Sequence, residues 1–369
     1  MTSPFDGPAD PAVDALAERV LQAALGTADI LSIYLGDRLG LYRSLVADGP
    51  ATAVELAERT GTHPRYVREW LEQQAITGFV VATAPEPDAS GPSEDHRFTL
   101  TDPAREVFTD PESLSHIAPL ARTLAASMQQ IPALLHAYQN GGGVSWGQLG
   151  RDARESQADL NRPWFTRALP AALESIPWLH ETLARPDAQV ADIGCGAGWS
   201  SIALANAYPA ATVHGFDIDE PSIALARQNL SQTQDPSRDV RFTVADAAAL
   251  PPDSYDLVFA FECVHDMSQP VEVLSAARRS LRPGGSVIVM DEAVAPTFTP
   301  PGDDLERLMY GFSLLVCLPD GLSHTPSEGT GTVMRPDTLR SYGLRAGLTR
   351  FQVLDEASFG FWRFYRLAA

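Results

Sequence analysis

The chain has 369 residues, 44% of them hydrophobic and 20% charged, and a formal net charge of −20. That length allows two domains, and the acidic surplus disfavours phosphate backbones and anionic lipid surfaces as partners. There is no lysine, which excludes Schiff-base chemistry and a Walker-type phosphate lysine.

The segment Met1–Asp10 is polar and proline-rich, without the basic-then-apolar order of a signal peptide. No apolar run approaches a membrane span. The cysteines are Cys195, Cys263 and Cys317, with no C-x-x-C pair, which suits a reducing compartment better than a disulfide framework or a zinc site. A cytoplasmic protein is expected. Three regions are expected: an N-terminal helical domain at 1–110, a helical linking and pocket-lining segment at 111–185, and an α/β domain at 186–369.

Residues 9–47 carry apolar positions at helical spacing (Val13, Leu16, Val20, Leu21, Leu25, then Ile30, Leu31, Tyr34, Leu35) and predict two helices. A short helix from Ala51, a turn at Gly61 and a second helix opening near Pro64 follow. Gly78-Phe-Val-Val, the polar loop 84–96 and Arg97-Phe-Thr-Leu-Thr then read as a two-stranded wing. This is a winged helix-turn-helix pattern. As a DNA reader its second helix offers Arg65 and Arg68 but also Glu69 and Glu72; as an oligomerisation module it needs only apolar faces. Residues 111–185 read as helices interrupted by Gln139-Asn-Gly-Gly-Gly-Val-Ser-Trp-Gly. There Trp146 is either the edge of a substrate pocket or part of an ordinary connection. Arg162 and Trp164 lie in the helical lead-in to the α/β region.

From 187 onward strand-like runs (189–193, 211–217, 240–245, 256–262, 286–291) alternate with helical runs (199–207, 220–230, 270–282), which predicts a parallel sheet with helices on both faces. The most informative run is Val190-Ala-Asp-Ile-Gly-Cys-Gly-Ala-Gly-Trp-Ser: a buried strand delivers Asp192, then Gly194, Gly196 and Gly198 alternate into a helix. Asp217 closes the next strand, where a carboxylate can accept both hydroxyls of a ribose. NAD sites share both features. Here, however, the acid precedes the first glycine, the spacing is not G-x-G-x-x-G, and a third acid, Asp246, ends the following strand.

This set resembles the class I S-adenosylmethionine-dependent methyltransferases. The resemblance implies a Rossmann-like seven-stranded domain binding S-adenosylmethionine, with S-adenosylhomocysteine as product. It implies Arg282-Pro-Gly-Gly-Ser as the turn before the fifth strand, and the segments from Thr349 and Ser358 as the terminal hairpin with the antiparallel strand. It also implies that Asp192, Gly194, Cys195, Gly196 and Gly198 hold the methionine end, Asp217 the ribose, Ile218 one adenine face, and Asp246 with Ala247 the adenine edge. In this fold the lead-in segment contacts the cofactor's carboxylate, which makes Arg162 or Trp164 a candidate. Glu262, close to the fourth strand's end, either takes a positioning role beside the cofactor or is ionic surface. The preceding winged helix is similar to that of small-molecule O-methyltransferases of plants and actinomycetes, which implies a homodimer formed through the N-terminal domain and makes nucleic acid an unexpected partner.

Phe259-Ala-Phe-Glu-Cys-Val-His265-Asp266-Met places a histidine just past the fourth strand, where α/β sheets bind substrates and where its pKa suits proton abstraction. Plant-type O-methyltransferases carry a catalytic His-Asp pair there in a Leu/Cys-His-Asp-Trp setting; this chain keeps the pair and lacks the tryptophan, so His265 is either the base or a structural, cofactor-packing residue. Asp266 either orients the ring or caps the next helix. Asp291-Glu292 ends the fifth strand, and Glu292 either leans into the acceptor pocket or is ionic surface. The insertion 293–348 offers Met309, Tyr310, Phe312 and Met334 as an apolar wall or as packing. It also holds His324 as a second base and Arg335 as an anchor for an acceptor carboxylate. No metal-ligand spacing is apparent, so no catalytic metal is expected. The expectation is a methyltransferase acting on an apolar or aromatic small molecule at oxygen, with nitrogen and carbon as the other acceptor atoms the residues allow. The rivals are a transcriptional regulator using the fold as a cofactor sensor, and an enzyme that uses the sulfonium without transferring a methyl.

Overall fold

The computed structural model describes residues 10–84, 96–233, 239–357 and 359–369. The polar wing loop and the segment before Asp10, on which the signal-peptide reading rests, lie largely outside them. The chain forms two compact units, Met1–Ala125 and Ala126–Ala369.

In the first unit, helices Pro11–Arg38 and Leu41–Ala47 precede the helix-turn-helix, Ala53–Thr60 and Pro64–Ile76. Local chemistry sets these boundaries. Thr52 and Glu55 form a reciprocal capping box, Gly61 ends its helix at φ +65°, and His63 caps the next helix with proline at its first position. Strands β1 (Val80–Thr83) and β2 (Arg97–Leu100) pair antiparallel as the wing. Ile33, Leu45, Leu56, Leu71, Phe98 and Phe108 belong to one core. The periodic residues Val13, Leu16, Val20, Leu21 and Leu25 do fall on a helix, but all are exposed; burial begins near Ile33.

The second unit opens with helices Ile131–Asn140 and Trp146–Pro163, a π-helical turn at Trp164–Ala168, and helices Leu169–Glu174 and Pro177–Leu183. The interruption falls at 141–145, so Trp146 opens a helix. Seven strands follow: β3 (Gln189–Ile193), β4 (Thr212–Asp217), β5 (Val240–Val244), β6 (Tyr255–Phe261), β7 (Leu281–Glu292), β8 (Arg350–Val353) and β9 (Trp362–Ala368). Their order is β5-β4-β3-β6-β7-β9-β8, and all pairs are parallel except those of β9 with β7 and β8. Alternate residues of one strand feed two cores. Leu257, Phe259 and Phe261 enter one, Val258 and Ala260 the other, as period-2 geometry requires. Helices Trp199–Ala207, Glu220–Gln232 and Pro270–Ser280 alternate with the strands. The last stops short of 282 because Leu281 is already extended, and the expected Arg282–Ser286 turn is taken into β7.

Candidate functional site

The C-terminal ends of β3, β4 and β5 lie side by side and each delivers an acid. Asp192 is buried, and one of its oxygens accepts hydrogen bonds from the Ser200 and Ser201 hydroxyls, both at 2.6 Å. Its other oxygen, Oδ1, has no partner among the described residues. Burial raises the carboxyl to about 6, although the two hydroxyls work against the rise. At the tip of β4, Asp217 accepts the Gly196 N–H through one oxygen and the Asp219 N–H through the other, both at 2.8 Å. A carboxylate has about four acceptor positions, so two bonds leave capacity for a ligand's hydroxyls. Asp246 stands exposed two residues past β5 and accepts the Ala248 N–H at 2.7 Å. Ala247 opens the short 3₁₀ turn behind it, and Ile218 projects into the open at 68% exposure.

The glycine turn is shaped by close approach on one side and open space on the other. Gly198 has φ +79°, and a Cβ there would stand 2.6 Å from the Phe242 ring; a Cβ on Gly196 would meet nothing within 4 Å. Cys195 contributes backbone, its N–H donating to the Phe216 carbonyl, while burial pushes its thiol far up and leaves it inert. Open space against Gly196, spare acceptors on Asp217 and a partnerless oxygen on Asp192 together fit a ligand carrying a diol and an amino group. That is the donor set of an adenosyl amino acid.

A second centre lies past β6. Glu262 has φ +48°, a costly conformation for a residue with a Cβ. Its carboxylate accepts from Asn161 at 2.5 Å, from Gln157 at 3.4 Å and from the Trp362 indole; burial raises it to about 7 against these bonds. His265 is buried. Its Nδ1–H donates to Asp291 at 2.9 Å and lies 3.3 Å from Glu292, while Nε2 lies 3.3 Å from Asp266. Burial opposes charge on the ring, but Asp266, Asp291 and Glu292 outweigh it and hold the imidazole well above its ordinary value. Glu292 is pushed well above the carboxylate range by burial and by its neighbour Asp291, with His265 working against the rise. Asp291 and Glu292 are 0% and 4% exposed, so neither is ionic surface. Asp266 sits beside the ring and caps no helix: the next one begins at Pro270. The Cys317 thiol, raised to about 12 by burial and by Asp266, completes the surroundings.

Linear spacing suggested no metal cluster, yet the fold gathers donor atoms of His265 with Asp266 and Cys317, and of His265 with Asp291 and Glu292, each set within 4.8 Å. A metal in the second set would have to displace the proton that Nδ1 donates to Asp291.

The remaining candidates are spread through the insertion and its neighbours. The Trp146 N–H donates to Asp320 at 2.7 Å, and the indole packs against the cluster of Leu134, Leu149 and Val316. Burial and Asp266 raise Asp320 to about 6. His324 is exposed, with Asp320 as a charged neighbour. Met309 is buried, Tyr310 is 37% exposed, and Met334 lies in a core cluster with Val258 and Val289. Arg335 donates to Glu306 at 2.6 Å, to Tyr310 at 3.3 Å and to the Ala295 carbonyl, so its guanidinium is already engaged. Sequence reasoning passed over Asn161, Gln157 and Trp362, which hold Glu262. It also passed over Trp199, whose buried Nε1 has no partner among the described residues and whose ring lies 4.7 Å from the Arg162 guanidinium. Its place directly after Gly198 was the one available signal.

Comparison with known proteins agrees with this geometry. Residues 190–285 match a methyltransferase domain and residues 27–101 an Rv2258c-like winged HTH domain. A 27-O-demethylrifamycin SV methyltransferase of Amycolatopsis mediterranei is 36% identical over 37% of this chain and 52% of its own. The chain spans about half the length of the curated relatives it matches. Among solved structures, the mitomycin 7-O-methyltransferase MmcR has a TM-score of 0.69 at 20% identity, covering 97% of this chain and 99% of its own. Human N-acetylserotonin methyltransferase, solved in complex with SAM, has a TM-score of 0.70 at 16% identity over 99% of both chains. This protein therefore carries a winged helix-turn-helix domain followed by a methyltransferase domain, on the fold of the class I S-adenosylmethionine-dependent methyltransferases.

Proposed function

We propose that this chain is an S-adenosylmethionine-dependent O-methyltransferase acting on an apolar or aromatic small molecule, with S-adenosylhomocysteine as the other product. The observation that carries the reading is the adjacency of two centres. Three acid-tipped strands surround the Gly194–Gly198 turn, and the carboxylate-bound His265 follows the next strand of the same sheet edge. Asp217 holds the ribose, Asp246 with Ala247 the adenine edge, Ile218 one adenine face, and Asp192 with the glycine turn the amino acid end; Glu262 fixes the loop beside them. When bound, the sulfonium supplies an activated methyl group. The protein's part is to align the acceptor, worth about 7–11 kcal/mol, and to take its proton, worth about 10²- to 10⁴-fold. Nε2 of His265 is the accepting atom, because the other ring nitrogen donates to Asp291. Methylation at oxygen is supported by the names of the relatives and solved structures cited above and by this base. The direct test is mass spectrometry of the product: a gain of one methyl supports transfer, and a product without it favours an enzyme using the sulfonium electrostatically.

The N-terminal region is read as the site of homodimerisation. Val13, Leu16, Val20, Leu21 and Leu25 form an apolar face on helix Pro11–Arg38, each 47–64% exposed, of the kind a second copy covers. The helix Pro64–Ile76 supports this over DNA reading. Its exposed Arg65 is paired with Glu69 at 2.6 Å, and the whole chain is strongly acidic. The double change Leu16→Glu with Val20→Glu is expected to halve the mass seen by light scattering. An unchanged dimer places the interface elsewhere.

Among the described residues no helix is long and apolar enough to cross a membrane. A cytoplasmic location is inferred from the three free cysteines.

A further inference from the structure

One helix reaches three of the strand-end loops that build the cofactor cleft. From helix Trp146–Pro163, Arg154 pairs with Asp219, just past β4, through contacts of 2.6 and 3.3 Å. Asn161 and Gln157 donate to Glu262, just past β6, and Arg162 lies over the ring of Trp199, the first residue after the glycine turn. Positions 157, 161 and 162 lie three, seven and eight residues beyond 154, so they fall on one side of the helix.

The backbone is broken at both ends of this stretch. Gly150, inside the helix, has φ 75° and ψ −152°, which is a kink; beyond Pro163 the chain passes into the π-helical turn Trp164–Ala168. Interruptions of the hydrogen-bond ladder are where helices pivot. Between them the buried residues of the helix are Ala153, Ser156, Ala158 and, at its very end, Pro163, none of them a large apolar side chain, so apolar burial along the stretch is shallow. What crosses the cleft is polar, and such contacts can exchange for water. The receiving side does not depend on the helix, because Glu262 is also held by Trp362, and Asp219 by the Ser222 N–H and hydroxyl.

We propose that residues 151–163 are a strap that closes over the cofactor cleft, pivoting at Gly150 and at the Trp164–Ala168 turn, with the Arg154–Asp219 pair as its latch. The strap opens to admit the cofactor and release its product. The proposal rests on the cofactor reading given above, so its test has one arm that needs no cofactor.

In ligand-free protein, Arg154→Ala is expected to speed amide hydrogen exchange across 151–163 while leaving β6 as protected as in the parent. In protein loaded with S-adenosylhomocysteine and chased with excess S-adenosylmethionine, the same variant is expected to release the nucleoside about tenfold faster, with Arg154→Lys recovering part of the difference. Unchanged exchange across 151–163 with release within twofold of the parent overturns the strap. Should the parent hold no S-adenosylhomocysteine at all, the cofactor reading fails, and the exchange arm alone decides whether the helix is latched.

Discussion

Replacing His265 with alanine is expected to lower turnover by about 10²- to 10⁴-fold while leaving cofactor affinity within a few-fold of the parent. The reason is geometric. The imidazole is buried and pinned through Nδ1 by Asp291, whereas the glycine turn is held through the Gly196 N–H by Asp217, a different carboxylate. Steady-state kinetics beside calorimetry separates the two quantities. Turnover that survives the change assigns the proton to another group, or to none.

The same arrangement fixes a pH dependence. The three carboxylates raise His265 above its ordinary value despite burial, so the neutral, proton-accepting ring predominates only at pH above that raised value. Activity should therefore rise with pH, and its acidic limb should lie above the usual histidine range. The sign for stability is the reverse. The imidazolium pairing contributes fully below the unfolded pKa and is lost as pH climbs through the folded one. Asp291→Asn removes one of the raising charges and is expected to move the limb toward lower pH, with reduced turnover because a neutral amide oxygen replaces the charged acceptor that orients the ring. A limb that stays put in this variant means the rate is governed by another group.

Asp217→Ala carries the second large expected effect, a loss of about 100-fold or more in affinity for S-adenosylhomocysteine. Two charge-assisted hydrogen bonds to a diol are worth about 1.5–3 kcal/mol each, and the substitution also strips the Gly196 N–H of its acceptor. Asp217→Asn, which keeps one acceptor oxygen, should fall between. Unchanged affinity in the alanine variant places the ribose elsewhere.

How much of this could be read along the chain differs from residue to residue. The strand bearing Asp192 and the helix Trp199–Ala207 were legible to their ends, because a buried run, three glycines and a helix former in sequence admit one local geometry. The winged helix was legible through its caps. The surroundings of His265 were not: Asp291 lies 26 positions away, and Cys317 arrives from an insertion that looks merely apolar. Nor could the pattern separate lining from packing, so Met334 reads as a pocket wall yet sits among core valines. Arg154 and Asn161 look like any polar helix face until the fold sets them against Asp219 and Glu262. Periodicity reports which face is apolar, and Val13 to Leu25 show that it is silent on what covers that face.

Isothermal titration of the purified protein against S-adenosylhomocysteine, with NAD and FAD as competing probes, tests the centre of this account. A single saturable site for the adenosyl amino acid, with no uptake of either dinucleotide, is the predicted result. Tight binding of a dinucleotide with no heat from the adenosyl ligand would contradict it, and the roles given to Asp192, Asp217 and Asp246 would go with it.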